Sequence, residues 1–280
     1  MTSIAFFNNQ TGGGQTSLVY HLAWMFAKIG ISTVAVDCDP QSTLTGMFLE
    51  EDALEQLWPD GPHASTLDGA LAADAPPKLI ELAENLALLP GDPRLALVED
   101  APALHHVLFR GARERGAGVV LLDVAPNFGP LSRAAVQVAD YLLIPVVPSL
   151  LSVQALANIG NRLQDWRRDS EVVPIGYTIE MSGRRAQLKW VHRIPAAYRA
   201  HILGQSSGAP PSPVDDPDCL AVLRNYPSLM QMATEARKPM FALKPADGAL
   251  GAHGAAVADC RADFEKLARR LATACKIDYT

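Results

Sequence analysis

Asn8-Asn9-Gln10-Thr11-Gly12-Gly13-Gly14-Gln15-Thr16-Ser17 is the stretch on which the reading of this chain turns. It stands between a short apolar run, Ile4-Ala5-Phe6-Phe7, and an amphipathic stretch that begins at Gln15. Successive glycines in a strand-to-helix turn let several backbone N–H groups converge on one anion, and the positive end of the following helix adds to the attraction. Leu18, Leu22, Met25, Phe26 and Ile29 fall on one stripe of that helix, which predicts packing against a sheet, and Gly30 is a natural stop.

The same alternation runs outward along the chain. Apolar runs predict strands near residues 4–7, 32–37, 86–89, 118–123, 141–145 and 172–179. Amphipathic stretches predict helices over residues 15–29, 95–113, 130–138, 152–168, 185–202, 217–235 and 252–276. This is the pattern of βαβ units, so the expected fold class is α/β: a mostly parallel sheet with helices on both faces and a helical C-terminal portion. The 280 residues are expected to form a single domain, with residues 218–280 as a helical embellishment. Residues 204–217, rich in Gly, Ser and Pro, read as a mobile loop, and residues 50–78, with Pro59, Gly61, Pro62, Pro76 and Pro77, as irregular around a short helical patch.

Composition narrows the classes. No run of about 18 uncharged apolar residues is present, so no spanning helix is expected. The N-terminus enters an apolar strand pattern without a basic leader, which argues against a secretory signal. Cys38, Cys219, Cys260 and Cys275 are far apart and show no C-x-x-C spacing, so neither a metal site nor a disulfide framework is expected, and a cytoplasmic location fits. The net charge of −6 is uneven: residues 1–130 hold 6 Lys/Arg against 16 Asp/Glu, and residues 131–280 hold 18 against 14. The acidic half does not suit a phosphate backbone. The other half can present either a basic face or an ordinary solvated surface.

A working phosphate loop reads G-x-x-x-x-G-K-[ST], its lysine on the β/γ-phosphates and its hydroxyl on Mg²⁺. Gly14 and Thr16 stand in their places here, but Asn9 holds the first glycine position and Gln15 the lysine position. Taken alone, the loop is equally a plain glycine-rich turn. Three further segments change the balance: Asp37-Cys38-Asp39-Pro40-Gln41, then Asp123-Val124-Ala125-Pro126, then Pro145-Val146-Val147-Pro148-Ser149. Each follows a predicted strand and so belongs at the C-terminal edge of the sheet, where α/β folds gather ligands.

In order and spacing these segments resemble the ParA/MinD family of deviant-Walker P-loop ATPases, above all the ParA-like partition proteins. There the loop reads K-G-G-x-G-K-[ST], followed by D-x-D-P-Q, a strand ending D-x-x-P, and a P-V-x-P segment. The match covers roughly residues 1–180. The resemblance implies that Gly12, Gly13, Gly14, Gln15, Thr16 and Ser17 surround a nucleotide's phosphates, that Thr16 and Asp123 hold Mg²⁺, that Asp39 positions the attacking water, and that Pro148 lies near the base. As residues alone, Asp39 and Asp123 also read as turn carboxylates, and Thr16 as a helix N-terminal hydroxyl.

The departures carry equal weight. The family's signature lysine falls at Gln10 and its loop lysine at Gln15, so both cations are replaced by neutral amides, and Thr11 replaces a glycine. One charge-assisted hydrogen bond contributes about 1.5–3 kcal/mol, so a lost lysine–phosphate contact weakens binding by about 10- to 150-fold. A cation at a transferring phosphoryl group is worth about 10³–10⁵ in rate. The expectation is a ParA-like positioning or partition protein with weak or absent binding of ATP or ADP with Mg²⁺, and little or no hydrolysis. Two alternatives stay open: a pseudo-ATPase scaffold that binds a protein partner without nucleotide, and a slow ATPase whose cations come from elsewhere.

The resemblance also implies a homodimer, a ParB-like or cargo protein partner, and binding to non-specific DNA through C-terminal basic residues. Arg185, Lys189 and Arg193, at i, i+4 and i+8 of a predicted helix, are the candidates for that surface.

Overall fold

In the computed structural model the chain forms one eight-stranded sheet in the order β3-β4-β2-β5-β1-β6-β7-β8. The structure describes all residues except 11, 13, 59–64, 75, 102, 182–187, 206–211, 249–251 and 279–280. In chain order the first half runs β1 (Thr2–Phe6), α1 (Gln15–Lys28), β2 (Thr33–Cys38), α2 (Thr43–Phe48), α3 (Glu51–Leu57), α4 (Leu67–Ala73), β3 (Ile80–Ala83), β4 (Leu86–Leu89), α5 (Leu104–Glu114) and β5 (Val119–Val124). The second half runs α6 (Pro130–Val138), β6 (Tyr141–Val146), α7 (Leu150–Trp166), β7 (Val173–Glu180), α8 (Leu188–Val191), α9 (Ile194–His201), β8 (Cys219–Leu223), α10 (Pro227–Ala236) and α11 (Ala252–Ala274). Every pairing is parallel except the edge hairpin of β3 with β4.

The central strands are apolar because both faces are covered. All residues of β2, β4 and β5 are buried, as a parallel sheet between two helical layers requires. On one face Val34, Val36, Val120 and Leu122 meet α5, α6, α7 and α9; on the other Ile4, Phe6, Leu121 and Leu143 meet α1, α2, α10 and α11. Gly176, with φ +141, lets β8 lie against β7, since a Cβ there would overlap the carbonyl of Asp218.

Four sequence expectations differ from the structure. The stretch expected as a helix from 217 begins instead with β8, paired to β7, and helix starts only at Pro227. Cys219-Leu220-Ala221-Val222-Leu223 is a short, wholly apolar run, and periodicity alone does not separate such a strand from a buried helix. The hairpin strand β3 is only four residues long and gave no pattern to read. The helix expected over 95–113 starts at Leu104, after a 3₁₀ turn at Pro93–Leu97; a proline at 102 would cost a helix interior about 3 kcal/mol. The helix expected over 185–202 divides into α8 and α9, with Pro195 in the first turn of the second. A proline there has no N–H for a continuous ladder, so the i, i+4, i+8 stripe is not a single helix face.

Of the segment expected as a loop at 204–217, residues 206–211 lie outside the described residues. No helix among the described residues is long and apolar enough to cross a membrane.

Candidate functional site

β1 delivers the chain to the centre of the sheet's C-terminal edge, and the glycine-rich turn carries it into α1. Gly14 precedes the helix with φ +71, a left-handed conformation that a side chain would strain. Thr11 and Gly13 lie outside the described residues; Gly12 is exposed, also at positive φ. Three amide side chains tie this turn to its neighbours. Asn8 Nδ2 donates to the carbonyl of Pro145 at 2.6 Å, and Asn8 Oδ1 accepts from the N–H of Gln10 at 3.1 Å. Gln10 Oε1 accepts from Ser152 Oγ at 2.6 Å. Gln15 Oε1 accepts from the N–H of Asn8 at 3.0 Å, while its Nε2 donates to Asp123 Oδ1 and to the carbonyl of Val124, both at 2.7 Å. Both glutamines at the lysine positions thus hold protein atoms.

Carboxylates surround the turn. Asp37, at the end of β2, accepts from the N–H and hydroxyl of Thr45 at 2.8 and 2.7 Å and from the N–H of Asp39 at 3.1 Å, which fastens the start of α2 to the sheet. The Thr45 hydroxyl in turn accepts from the N–H of Gly91 at 2.8 Å. Asp39 is half-buried and closes its own turn, Oδ1 accepting from the N–H of Gln41 at 2.9 Å. Asp123 is fully buried at the end of β5. Burial, then the charge of Asp37, raise its pKa against the hydrogen bond of Gln15 and the nearby Thr16 hydroxyl, with Asp39 adding a smaller rise. Burial likewise raises Asp37 despite the bonds from Thr45.

A fourth acid lies at the end of β7. Glu180 is half-buried, its Oε1 is enclosed without a hydrogen-bond partner among the described residues, and burial pushes its pKa up to about 8. Its carboxyl fills the space a Cβ on Gly14 would need. Below it opens a cavity of about 530 Å³, walled by the first turn of α1, the ends of β7 and β8, α10 and α11. His21 ties these walls together. Nδ1 donates to the carbonyl of Ser17 at 2.7 Å and Nε2 accepts from the N–H of Met240 at 3.1 Å. Its ring stacks on Phe264 at 4.9 Å between centroids, and burial lowers its pKa to about 4, so it is a neutral Nδ1–H tautomer.

Of the residues singled out in the sequence, Gly12, Gly14, Gln15, Thr16, Asp39 and Asp123 meet at this edge. Ser17 lines the cavity. Pro148 is buried in the turn after β6, on the Gln10 side of the loop, and is not among the described residues that line the cavity. Lys189 and Arg193 are exposed, and both lie over the Trp190 ring, with Nζ 5.0 Å and Cζ 5.3 Å from its centroid, while Arg185 lies outside the described residues. Arg199, on the same stretch, is taken by Asp216 at 2.7 Å. Sequence reasoning missed Asp37, His21 and Glu180. An acid closing an otherwise apolar strand at the ligand edge was the available signal for Glu180.

The side chains differ in what they fit. Asp123 Oδ2 is buried without a partner beside Thr16, which suits a divalent cation; such an ion would take further oxygens from water or a ligand. Among the described residues no three His, Cys, Asp or Glu converge on a metal by themselves. Phosphate is poorly served: the one amide donor at the loop lysine position, Gln15 Nε2, is already spent on Asp123 and Val124, and acids stand around the turn.

A family model described as an AAA domain matches residues 1–172. Protein IncC of Escherichia coli is 32% identical over 171 residues, 57% of this chain and 45% of that protein. The probable plasmid-partitioning protein ParA of Thermus thermophilus is 32% identical over 175 residues, 60% of this chain and 52% of that protein. The chain thus spans about half the length of these two relatives. A variant of Cyanothece McdA, solved with ATP, superposes with a TM-score of 0.72 at 18% identity, covering 100% of this chain and 98% of that one. The chain belongs to this AAA-domain family and, within it, to the ParA/MinD-type P-loop ATPases.

Proposed function

We propose that this chain is a ParA-like positioning or partition protein whose phosphate loop is given over to internal hydrogen bonds, so that nucleotide binds weakly and ATP is not turned over. The observation that carries this is Gln15: its Nε2 is spent on Asp123 and Val124 at 2.7 Å, where an ATPase needs a cation on phosphate. In this reading Gly12, Gly13, Gly14, Gln15, Thr16 and Ser17 form the weak nucleotide site. Thr16 and Asp123 hold Mg²⁺ with it, Pro148 flanks it, and Asp39 has a water to position only if a cation is restored. Two missing cations at about 10³ or more in rate each leave turnover at background. A scaffold that works without nucleotide is the second reading. It is favoured by the Glu180 carboxyl against Gly14, a group that opposes any phosphate in the turn.

The chain pairs with itself and with a protein partner. Its DNA surface is Arg185, Lys189 and Arg193; the two cations close to the Trp190 ring support that choice, because an aromatic ring beside cations suits a nucleic-acid backbone and base together. Calorimetric titration with ATP and Mg²⁺ tests the nucleotide claim. Wild type should bind weakly, and Gln10→Lys/Gln15→Lys should bind at least about tenfold tighter. Wild-type affinity equal to that of the double variant would refute it.

A further inference from the structure

β8 ends the sheet, and no described strand pairs with its outer edge. Its five residues, Cys219-Leu220-Ala221-Val222-Leu223, are wholly apolar. Sheets commonly guard such an edge with a charged side chain or a proline on the strand itself, and β8 carries neither. The register with β7 shifts at its start and is regular from Ala221 to Leu223. The Met181 N–H donates to the Leu223 carbonyl at 3.1 Å, so the peptide groups of Leu223 point at β7, and alternation turns those of Val222 to the open side. On that side the Leu220 carbonyl accepts from Arg270 of α11 at 3.0 Å. A slot of about 190 Å³ follows the strand, lined also by Pro213 and Val214 from the turn before it and by Lys266 and Arg270 from α11. A groove of about 750 Å³ shares Leu220, Lys266 and Arg270 with the slot and adds Ile175 and Pro217. Val214, at the rim, is 81% exposed. The acids nearby are spent: Asp263 on Arg224 at 2.9 Å and Glu265 on Arg269 at 2.8 Å. Lys266 is exposed, and neither it nor Arg270 has an acid partner among the described residues.

We propose that the outer edge of β8 is a docking site for an extended acidic segment of a partner protein, added to the sheet as a further strand. Its backbone pairs with the N–H and carbonyl of Val222 and shares the Leu220 carbonyl with Arg270, a carbonyl oxygen having two lone pairs. Successive side chains of an added strand point to opposite faces of the sheet. Leu220 and α11 lie on one face, Cys219 and Val222 on the other. Every second side chain of the incoming segment therefore meets Lys266 and Arg270, where a carboxylate fits, and the side chains between them lie on the apolar face. This alternation of acidic and apolar residues is the chemistry the edge selects. Duplex DNA is a poorer occupant, because it has no use for an open backbone edge or for the exposed Val214 at its rim. The proposal rests on the chain having a protein partner and on nothing in the phosphate loop, so its failure would leave the nucleotide reading untouched.

Titration of the full chain with a blocked hexapeptide of alternating valine and glutamate, followed by amide NMR with selective valine isotope labelling, tests the assignment at low salt. Its valine–lysine counterpart and a short non-specific duplex serve as the comparison probes. The valine–glutamate peptide should bind and move the Val222 amide signal, and the valine–lysine peptide should bind at least about tenfold more weakly, as two rim charges of about 0.2–1 kcal/mol each change from attraction to repulsion. Val222→Pro removes the outward N–H without touching the ladder to β7, which an edge strand tolerates. It identifies the Val222 signal by its loss and should abolish binding while the circular dichroism spectrum stays that of the wild type. Lys266→Glu, an exposed change, should weaken the valine–glutamate peptide by about threefold or more. The assignment is overturned if that peptide does not bind wild type or leaves the Val222 amide unmoved, if the valine–lysine peptide binds as well, if Val222→Pro and Lys266→Glu both bind as wild type does, or if the duplex displaces the peptide and moves the same amide more strongly.

Discussion

The buried acids should make this protein less stable as pH rises through neutrality, and Glu180→Gln should remove most of that fall. Glu180 titrates at 4.5 when free and at about 8 when folded, raised by burial. Between about pH 6.5 and 8.5 the unfolded chain therefore holds this group ionised while the folded chain holds it protonated. The folded state binds more protons, so stability declines with rising pH: the contribution is complete below the free value and is lost as pH passes the folded value. At about 1.4 kcal/mol per pH unit, with the slope fading beyond pH 8, Glu180 alone accounts for a loss of about 2 kcal/mol across this window. Asp123, raised by burial and by Asp37, adds in the same direction. His21 acts with the opposite sign but outside the window, since its folded value of about 4 lies below the free value of 6.5 and its effect is complete by then. The buried cysteines Cys219, Cys260 and Cys275, pushed up to about 11 or 12, begin to act only above their free value of 9.0. Urea unfolding followed by circular dichroism at intervals across the window measures the slope. An equal slope in Glu180→Gln and wild type would refute the reasoning.

Three further outcomes follow from the packing and the charges. His21→Phe keeps the ring against Phe264 but leaves the Met240 N–H unpaired in the core and removes the second bond to the Ser17 carbonyl, for a loss of about 1–3 kcal/mol in the same urea assay; a loss below about 1 kcal/mol would contradict the bridge described for it. Gly160→Ala places a methyl group on the carbonyl of His201 where α7 crosses α9, and should cost about 1–3 kcal/mol, seen as a lower Tm. Binding to non-specific duplex DNA should fall steeply with salt. The triple variant Arg185→Ala/Lys189→Ala/Arg193→Ala should shallow the log–log slope by about 3 in an anisotropy titration; an unchanged slope places the DNA surface elsewhere.

The sheet was legible because its central strands are short apolar runs followed by turns of marked composition. β1, β2, β5 and β6 end at Phe6, Cys38, Val124 and Val146, each within one residue of the end that the sequence patterning gave, and the motifs that follow them meet at one edge. The edges of the sheet were not legible. β3 has four residues and β8 five, and neither length supports a period. The candidate site was legible as a set of backbone positions and illegible in its polar wiring. That Gln15 should turn to Asp123, or that Glu180 should reach Gly14 from the end of β7, depends on tertiary geometry that spacing does not encode. Asp37 was in view, but its work as an anchor for Thr45 depends on where α2 starts after a residue in the left-handed region, Ser42 at φ +50.

The most direct test is steady-state ATP hydrolysis by the purified chain with Mg²⁺, in the presence and absence of non-specific DNA. The expected result is phosphate release at the rate of a protein-free control in both conditions, because Gln10 and Gln15 supply no charge to the transferring group and are bonded to Ser152 and to Asp123. Turnover of about one per minute or faster, abolished by Asp39→Ala, would contradict the account, since it would mean that a cation reaches the phosphates from somewhere other than these two positions.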